Sequence, residues 1–224
     1  MDFSIRNKKV AENRWKKVHD SEMALFRSDS QALLRKASIC GFLAGDGNVQ
    51  FRTKGNHYEI RFFPDDYSMV EEYIQSIQFI YNKSLKFKVK KNFFWVAFTS
   101  KSIYLDLINT TRFGLYTWLP PMTILTNSKA KINWLKAFFS AECYVASDHI
   151  KVQTVNPVGM ELVSNLLTDV KIGHSTYFYK PKNPNYSLVS IIVINKKQDL
   201  KLFQKTIGFW HSKKNETLEK GLTL

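Results

Sequence analysis

From Gln31 onward the chain alternates between two patterns: apolar residues three and four apart, and short stretches of apolar and polar residues in turn. The first pattern predicts helices and the second half-buried strands. Ala32 to Gly45 is a helical run of small and apolar residues that ends at Asp46-Gly47. Val49 to Lys54 and Tyr58 to Phe63 are strand-like, and Gly55-Asn56 between them is a strong hairpin signal. Pro64-Asp65-Asp66 starts a helix whose apolar spacing runs from Tyr67 to Tyr81. Leu85 to Lys90 and Phe93 to Phe98 are strands about the turn Lys91-Asn92, and Lys101 to Phe113 returns to helix.

Gly114 to Ser128, with Pro120-Pro121, breaks the pattern and reads as a linker. The same order then restarts. Lys129 to Glu142 is helix, two strands lie around Tyr144 to Val155, and Val158 to Val170 is helix. Strands follow at Ile172 to Tyr179 and Tyr186 to Ile194, then a helix at Lys196 to Ile207. The chain is thus a tandem duplication of one α+β unit. The expected division is a basic N-terminal extension (1–30), a first repeat (31–113), a linker (114–128) and a second repeat with a C-terminal tail (129–224).

Composition narrows the function classes. With 44% hydrophobic and 14% aromatic residues in 224, the chain can bury a substantial core, which excludes disorder as a description of the whole. Lys and Arg number 33 against 19 Asp and Glu, a formal charge of +14. That excess predicts a polyanionic partner, because neutralising phosphates releases counterions. Charged residues interrupt every apolar run, so no membrane span is expected, and the polar stretch Met1 to Lys9 lacks the apolar core of a secretory signal. Two distant cysteines, Cys40 and Cys143, argue against a disulfide scaffold or a zinc module and suit a reducing, intracellular compartment. The five histidines show no metal-ligand spacing, and no glycine-rich phosphate loop is present.

Chemistry concentrates in two segments, Ile39-Cys40-Gly41-Phe42-Leu43-Ala44-Gly45-Asp46-Gly47 and Leu135-Lys136-Ala137-Phe138-Phe139-Ser140-Ala141-Glu142-Cys143. Each has small residues four apart, Gly41 with Gly45 and Ala137 with Ala141, which share one helix face and permit close approach of a second helix. Each ends in an acid. If the helices pack in parallel, Asp46 and Glu142 meet. Two carboxylates at the negative ends of two helix dipoles repel. A hard divalent cation relieves that repulsion, and oxygen ligands favour Mg²⁺. Such an ion can activate water and stabilise a leaving oxygen in phosphodiester hydrolysis.

These segments resemble the signature helices of the LAGLIDADG homing endonucleases, and the order of elements from Gln31 to the last helix resembles that family's half-domain; Cys143 stands where glycine is usual. The resemblance implies a monomer of two pseudosymmetric αββαββα repeats, with the motif helices packed at their interface and two saddle-like antiparallel sheets for DNA. It implies divalent-metal binding at Asp46 and Glu142, with Gly45 and Ala141 beside them, and cleavage of both DNA strands across the minor groove. It also implies a supporting cation where the fourth strand of each repeat joins the last helix, which is Lys101 in the first repeat and Lys196 in the second. A polar water-ordering residue often follows the second strand; Phe63-Pro64 offers none in the first repeat, while Asn156 is available in the second. The family also includes RNA maturases, so intron RNA is an alternative partner, as is duplex DNA bound without cleavage.

The strands supply a reading surface. Leu85-Lys86-Phe87-Lys88-Val89-Lys90 alternates strictly, which places Lys86, Lys88 and Lys90 on one face. Gln50, Arg52 and Lys54 do the same in the first hairpin, with Arg61 opposite them. The second-repeat candidates are Lys151, Gln153, Tyr177 and Tyr179, with Lys180 and Lys182 in the adjoining loop. Arg and Lys suit guanine edges in the major groove of double-stranded DNA and Gln suits adenine, while the remaining lysines position the backbone. Eight strands would cover a long site, and two non-identical halves remove the need for a palindrome. The basic lead-in (Lys8, Lys9, Arg14, Lys16, Lys17) is an outer helix or a DNA-contacting arm, and the tail with His211, Lys213 and Lys214 ends a helix at the surface or on phosphates.

Overall fold

Short polar side chains set where the helices start, because a side-chain oxygen satisfies a backbone N–H that the first turn leaves unpaired. After α1 (Phe3–Ala24), Asp29 caps α2 (Ser30–Asp46) by accepting from the Ala32 N–H at 2.9 Å. The chain then forms β1 (Gly47–Arg52) and β2 (His57–Phe62), joined through Gly55 and Asn56, both at positive φ. Asp66 caps α3 (Tyr67–Tyr81), β3 (Phe87–Val89) and β4 (Phe94–Thr99) follow, and Ser100 caps α4 (Lys101–Thr110). The order repeats: Asn127 caps α5 (Ser128–Glu142), then come β5 (Tyr144–Val145) and β6 (Ile150–Thr154). Asn156 caps α6 (Pro157–Asp169), followed by β7 (Ser175–Tyr179), β8 (Val189–Ile194), α7 (Lys197–Thr206) and α8 (Ser212–Thr223). This computed structural model describes residues 3–183 and 185–223, with side chains from Val10 onward, so the side chains of Lys8 and Lys9 in the basic lead-in lie outside the described residues.

The fold is α+β, and its duplication is visible in the sheets. One four-stranded antiparallel sheet has the order β1-β2-β4-β3 and the other β5-β6-β8-β7. Each buries one face under helices. Ile60, Phe62 and Val96 in the first sheet and Ile150, Val152, Ile192 and Ile194 in the second are buried, which at about 2 kcal/mol each makes them main contributors to the core. The motif helices α2 and α5 form the seam. Ser38 faces Asn133, Gly41 faces Ala137 and Gly45 faces Ala141, both helices advancing together, so they run parallel. A Cβ on Gly41 would lie 2.5 Å from the Trp134 carbonyl oxygen, so the backbones meet closely because no side chain stands between them.

Several elements differ from expectation: the tail forms a separate helix, α8, and the strand expected from Tyr186 starts at Val189. Pairing in Leu85 to Lys90 contracts to Phe87–Val89, an edge strand at the sheet margin whose apolar side chains stay exposed, although Tyr67 of α3 lies against Phe87. The strand expected from Ile172 starts at Ser175, since Ile172 N–H donates to the Leu167 carbonyl and Gly173 N–H to Asp199 Oδ1, closing a turn instead. The segment 114–128 is packed: Trp118 and Leu125 are buried, and Trp118 lies against Trp134 and Phe138. No described helix is long and apolar enough to cross a membrane.

Candidate metal centre and nucleic-acid face

Parallel packing of α2 and α5 decides the position of the two acids. A Cβ on Gly45 would stand 2.5 Å from Ala141 Cβ and 3.5 Å from the Glu142 nitrogen, so the helices reach their last residues in contact and Asp46 and Glu142 emerge at one end of the seam. Burial pushes the Asp46 carboxyl up to about 7; Asp65 adds to the rise, and Lys214 and His211 oppose it. Glu142 is pushed up to about 7 as well, by burial first and by the charge of Asp46 second, against Lys214. Each helix then leaves directly into a strand. Gly47 and Cys143 share an extended backbone with negative φ, so the turn itself does not require glycine at 143. At 47 glycine is needed for space, because a Cβ would run into Leu43.

Solved structures share the fold. A mesophilic variant of the homing endonuclease I-DmoI matches at TM-score 0.63 and 17% identity, over 79% of this chain and 96% of that one. I-DmoI in complex with DNA and Mn matches at TM-score 0.61 and 16% identity, over 79% and 97%. The N-terminal LAGLIDADG domain of DUF199/WhiA matches at TM-score 0.54 and 11% identity, over 85% and 90%. This chain has the LAGLIDADG fold. No protein-family model matches the sequence, and no curated protein matches it.

In this LAGLIDADG fold the donors offered to a metal are oxygens. Asp46 and Glu142 bring two carboxylates, and Gly45 and Ala141 bring the carbonyls beside them. The Ala141 carbonyl already accepts from Lys214 Nζ at 3.3 Å, so the Gly45 side is the more open one. Among the described residues no group of three or more His, Cys, Asp or Glu converges, so an ion here would complete its shell with carbonyl, water or phosphate oxygens. A hard divalent cation fits such a site, both by donor type and because it relieves two carboxylates ionised against burial.

Strand direction moves the two expected lysines away. β1 leaves the acid, β2 returns to it, and β4, antiparallel to β2, departs again. Phe63 N–H donates to the Asp46 carbonyl, whereas Thr99 pairs with Glu59 and Ser100 N–H donates to the Tyr58 carbonyl at the far end. Lys101 therefore sits about 15 Å along the sheet from Asp46. Its Nζ lies 5.5 Å from the centre of the Tyr58 ring, and it lines a groove of about 530 Å³ with Trp15 and Lys16 of α1. β8 likewise runs away from Glu142, with Ile194 opposite Ile150 and Ile150 opposite Val145, so Lys196 also follows the far end of its strand. Asn156 is also occupied: it is buried, its Nδ2 donates to the Trp118 carbonyl at 2.6 Å and its Oδ1 accepts from Gly159 N–H at 3.1 Å. Lys214, His211 and Asp65 stand beside the acids instead. In the sequence Lys214 and His211 lie in the basic tail after the last repeat helix, and Asp65 in the helix start Pro64-Asp65-Asp66.

The candidate reading residues share the outer sheet faces. Register places Gln50, Arg52, Arg61 and Lys88 on the side opposite the buried Ile60 and Phe62. At their centre is an acid that sequence reading passed over. Glu59 accepts from Gln50 Nε2 at 3.0 Å, from Arg52 Nε at 2.7 Å and from Arg61 at 2.5 Å, and these partners hold its carboxyl below its ordinary range. Lys88 and Lys90 extend over the Trp95 ring at 5.7 and 5.3 Å, and Lys54 and Lys86 are exposed near the same face. The second sheet is chemically different. Lys151 and Gln153 share its outer face with Tyr177 and Tyr179, both more than half exposed at 53% and 55%, and Lys180 and Lys182 are exposed in the loop beyond.

Proposed function

We propose that this protein is a site-specific endonuclease that binds double-stranded DNA as a monomer and hydrolyses both strands of a long, non-palindromic target. Mg²⁺ is the proposed cofactor, held between Asp46 and Glu142. The observation that carries this reading is the emergence of two buried-edge carboxylates from adjacent helix ends, at the point where both outer-facing sheets begin.

Each part of the chain has a defined task in that reading. Gln50, Arg52, Arg61 and the lysines of β3 contact one half of the target, and Lys151, Gln153, Tyr177 and Tyr179 contact the other. Tyrosines suit stacking and sugar contacts, while the basic first face suits base edges and phosphate, so the two half-sites differ in sequence. Asp46 and Glu142 would hold the ion, and their carboxylates would orient water against the phosphorus. When bound, the ion supplies a Lewis acid for the phosphate oxygens and lowers the cost of deprotonating water. In each strand a new bond joins the water oxygen to phosphorus, one bond to a sugar oxygen breaks, and the water proton ends on that sugar oxygen.

The test is cleavage selection from a duplex library by purified protein with Mg²⁺ or Mn²⁺, followed by Asp46→Asn and Glu142→Gln on the recovered target. Both variants should retain binding and lose double-strand cleavage. Full cleavage by either would overturn the assigned roles. Protection of duplex without cutting under any divalent ion would mark a DNA-binding protein, and intron-dependent stimulation of splicing an RNA-folding one.

A further inference from the structure

The acid centre contains a cation from outside the duplicated unit. After α7 the chain turns at Gly208, whose φ is 61°, and α8 carries Lys214 back to the end of α5. There Nζ donates to the Ser140 carbonyl at 2.7 Å and to the Ala141 carbonyl at 3.3 Å. These carbonyls belong to the last turn of α5, where helix geometry leaves acceptors unpaired and partial negative charge accumulates. An ammonium has three N–H donors, and two are spent on α5.

Contacts from both repeats fix this placement. Trp210 N–H donates to Ser140 Oγ at 2.7 Å, and Asn215 closes the turn by bonding the Phe209 N–H and carbonyl at 3.1 and 2.8 Å. His211 is only 6% exposed, and its ring nitrogens lie 3.3 Å from Asp65 and 3.4 Å from Asp66 of the first repeat. Ser212 N–H also donates to Asp66 Oδ2 at 3.0 Å, while Phe209 and Leu218 are buried. The tail thus bridges the two repeats, bonded to α5 of the second and to Asp65 and Asp66 of the first.

We propose that Lys214 is the resident cation of the acid centre, taking the place that the repeat pattern assigned to Lys101 and Lys196. Charge balance supports this. The Lys214 ammonium offsets only part of the carboxylate charge of Asp46, Glu142 and neighbouring Asp65, so the centre keeps a negative excess that attracts a divalent ion. The electrostatic effect of Lys214 on both Asp46 and Glu142 agrees with the geometry. The role in cleavage rests on the endonuclease reading above; the role in setting the charge of the metal site does not.

The test therefore has two arms, using the full-length protein with Lys214→Met, Lys214→Gln and Lys214→Arg, and Lys213→Met as the control on the same helix. In the first arm Mn²⁺ binding without DNA is measured by calorimetric titration. Losing the neighbouring positive charge should tighten Mn²⁺ binding roughly tenfold in the Met and Gln variants, with Arg and the Lys213 control like wild type. A purely structural lysine would loosen the end of α5 and leave Mn²⁺ affinity unchanged or weaker. Either of those results in a folded Met or Gln variant overturns the proposal, and Gln, which keeps a donor for the carbonyls, serves if Met does not fold. In the second arm single-turnover cleavage at saturating metal should fall about tenfold or more in the uncharged variants and recover with Arg. A wild type that cuts nothing would sink the endonuclease reading alone, with the Mn²⁺ arm still deciding the role of Lys214.

Discussion

Replacing Asp46 by Asn should make the protein more stable at neutral and alkaline pH while removing its proposed chemistry. The Asp46 carboxyl is raised from an ordinary 3.8 to about 7 by burial, so above pH 7 the native state holds an ionised group in a place that disfavours it. A folded pKa above the unfolded one means that the native state binds the proton more tightly. Stability is therefore greatest below the unfolded value and falls as pH rises from about 4 to about 7. At about 1.4 kcal/mol per unit the full penalty is about 4 kcal/mol. Asp46 is only partly shielded from solvent, which discounts the penalty to about 2 kcal/mol. Asn has the same shape and no charge, and the Phe63 N–H bond to the residue-46 carbonyl is untouched. Thermal unfolding at pH 8 without divalent ions should show a Tm about 4–8 °C higher for Asp46→Asn, with almost no difference at pH 4. Adding Mg²⁺ should raise the Tm of the wild type and leave the variant unmoved, since only the wild type gains binding energy. A variant no more stable at pH 8, or one stabilised equally at both pH values, would refute the argument that the acids are held ionised against their surroundings.

Two further substitutions probe the seam and the outer face. Gly41→Ala gains about 1 kcal/mol of helix propensity, but its Cβ would stand 2.5 Å from the Trp134 carbonyl oxygen and 2.9 Å from Ala137 Cβ. The helices must part, overpacking outweighs the gain, and a net loss of about 2 kcal/mol is expected in chemical unfolding; a neutral result would contradict the close approach. Glu59→Gln frees Arg52 and Arg61 from their shared carboxylate. It should change stability by less than about 1 kcal/mol yet strengthen duplex binding and steepen its salt dependence by about one released ion. An unchanged salt slope would take that face away from DNA.

Much of the architecture was legible because it is local or repeated. The helix start at Pro64-Asp65-Asp66 is made by Asp66 capping the residues just after it, and Gly55-Asn56 makes its hairpin with its own backbone angles. Alternation in β3 placed Lys88 on the outer face without knowledge of any partner strand. The small residues at 41, 45, 137 and 141 foretold the seam, and the acids that follow them foretold where charge would gather. Strand direction was less legible. The expected Lys101 and Lys196 depended on which end of the fourth strand lies near the acids, and only the antiparallel register answers that. Asn156 looked like a free polar residue until its carboxamide was found spent on Trp118 and Gly159.

The sequence by itself determined the units: the main helices and hairpins of each repeat, that they occur twice, and that each copy offers one acid at the end of a close-packing helix. Those properties follow from neighbours along the chain, where spacing and capping act over a few residues. Only the tertiary structure decided which charges share the site. Lys214 reaches the α5 carbonyls, and His211 reaches Asp65 and Asp66, across well over a hundred residues of sequence in the second case. Their attraction depends on distance in space and on exclusion of water, and neither quantity is written in the order of residues.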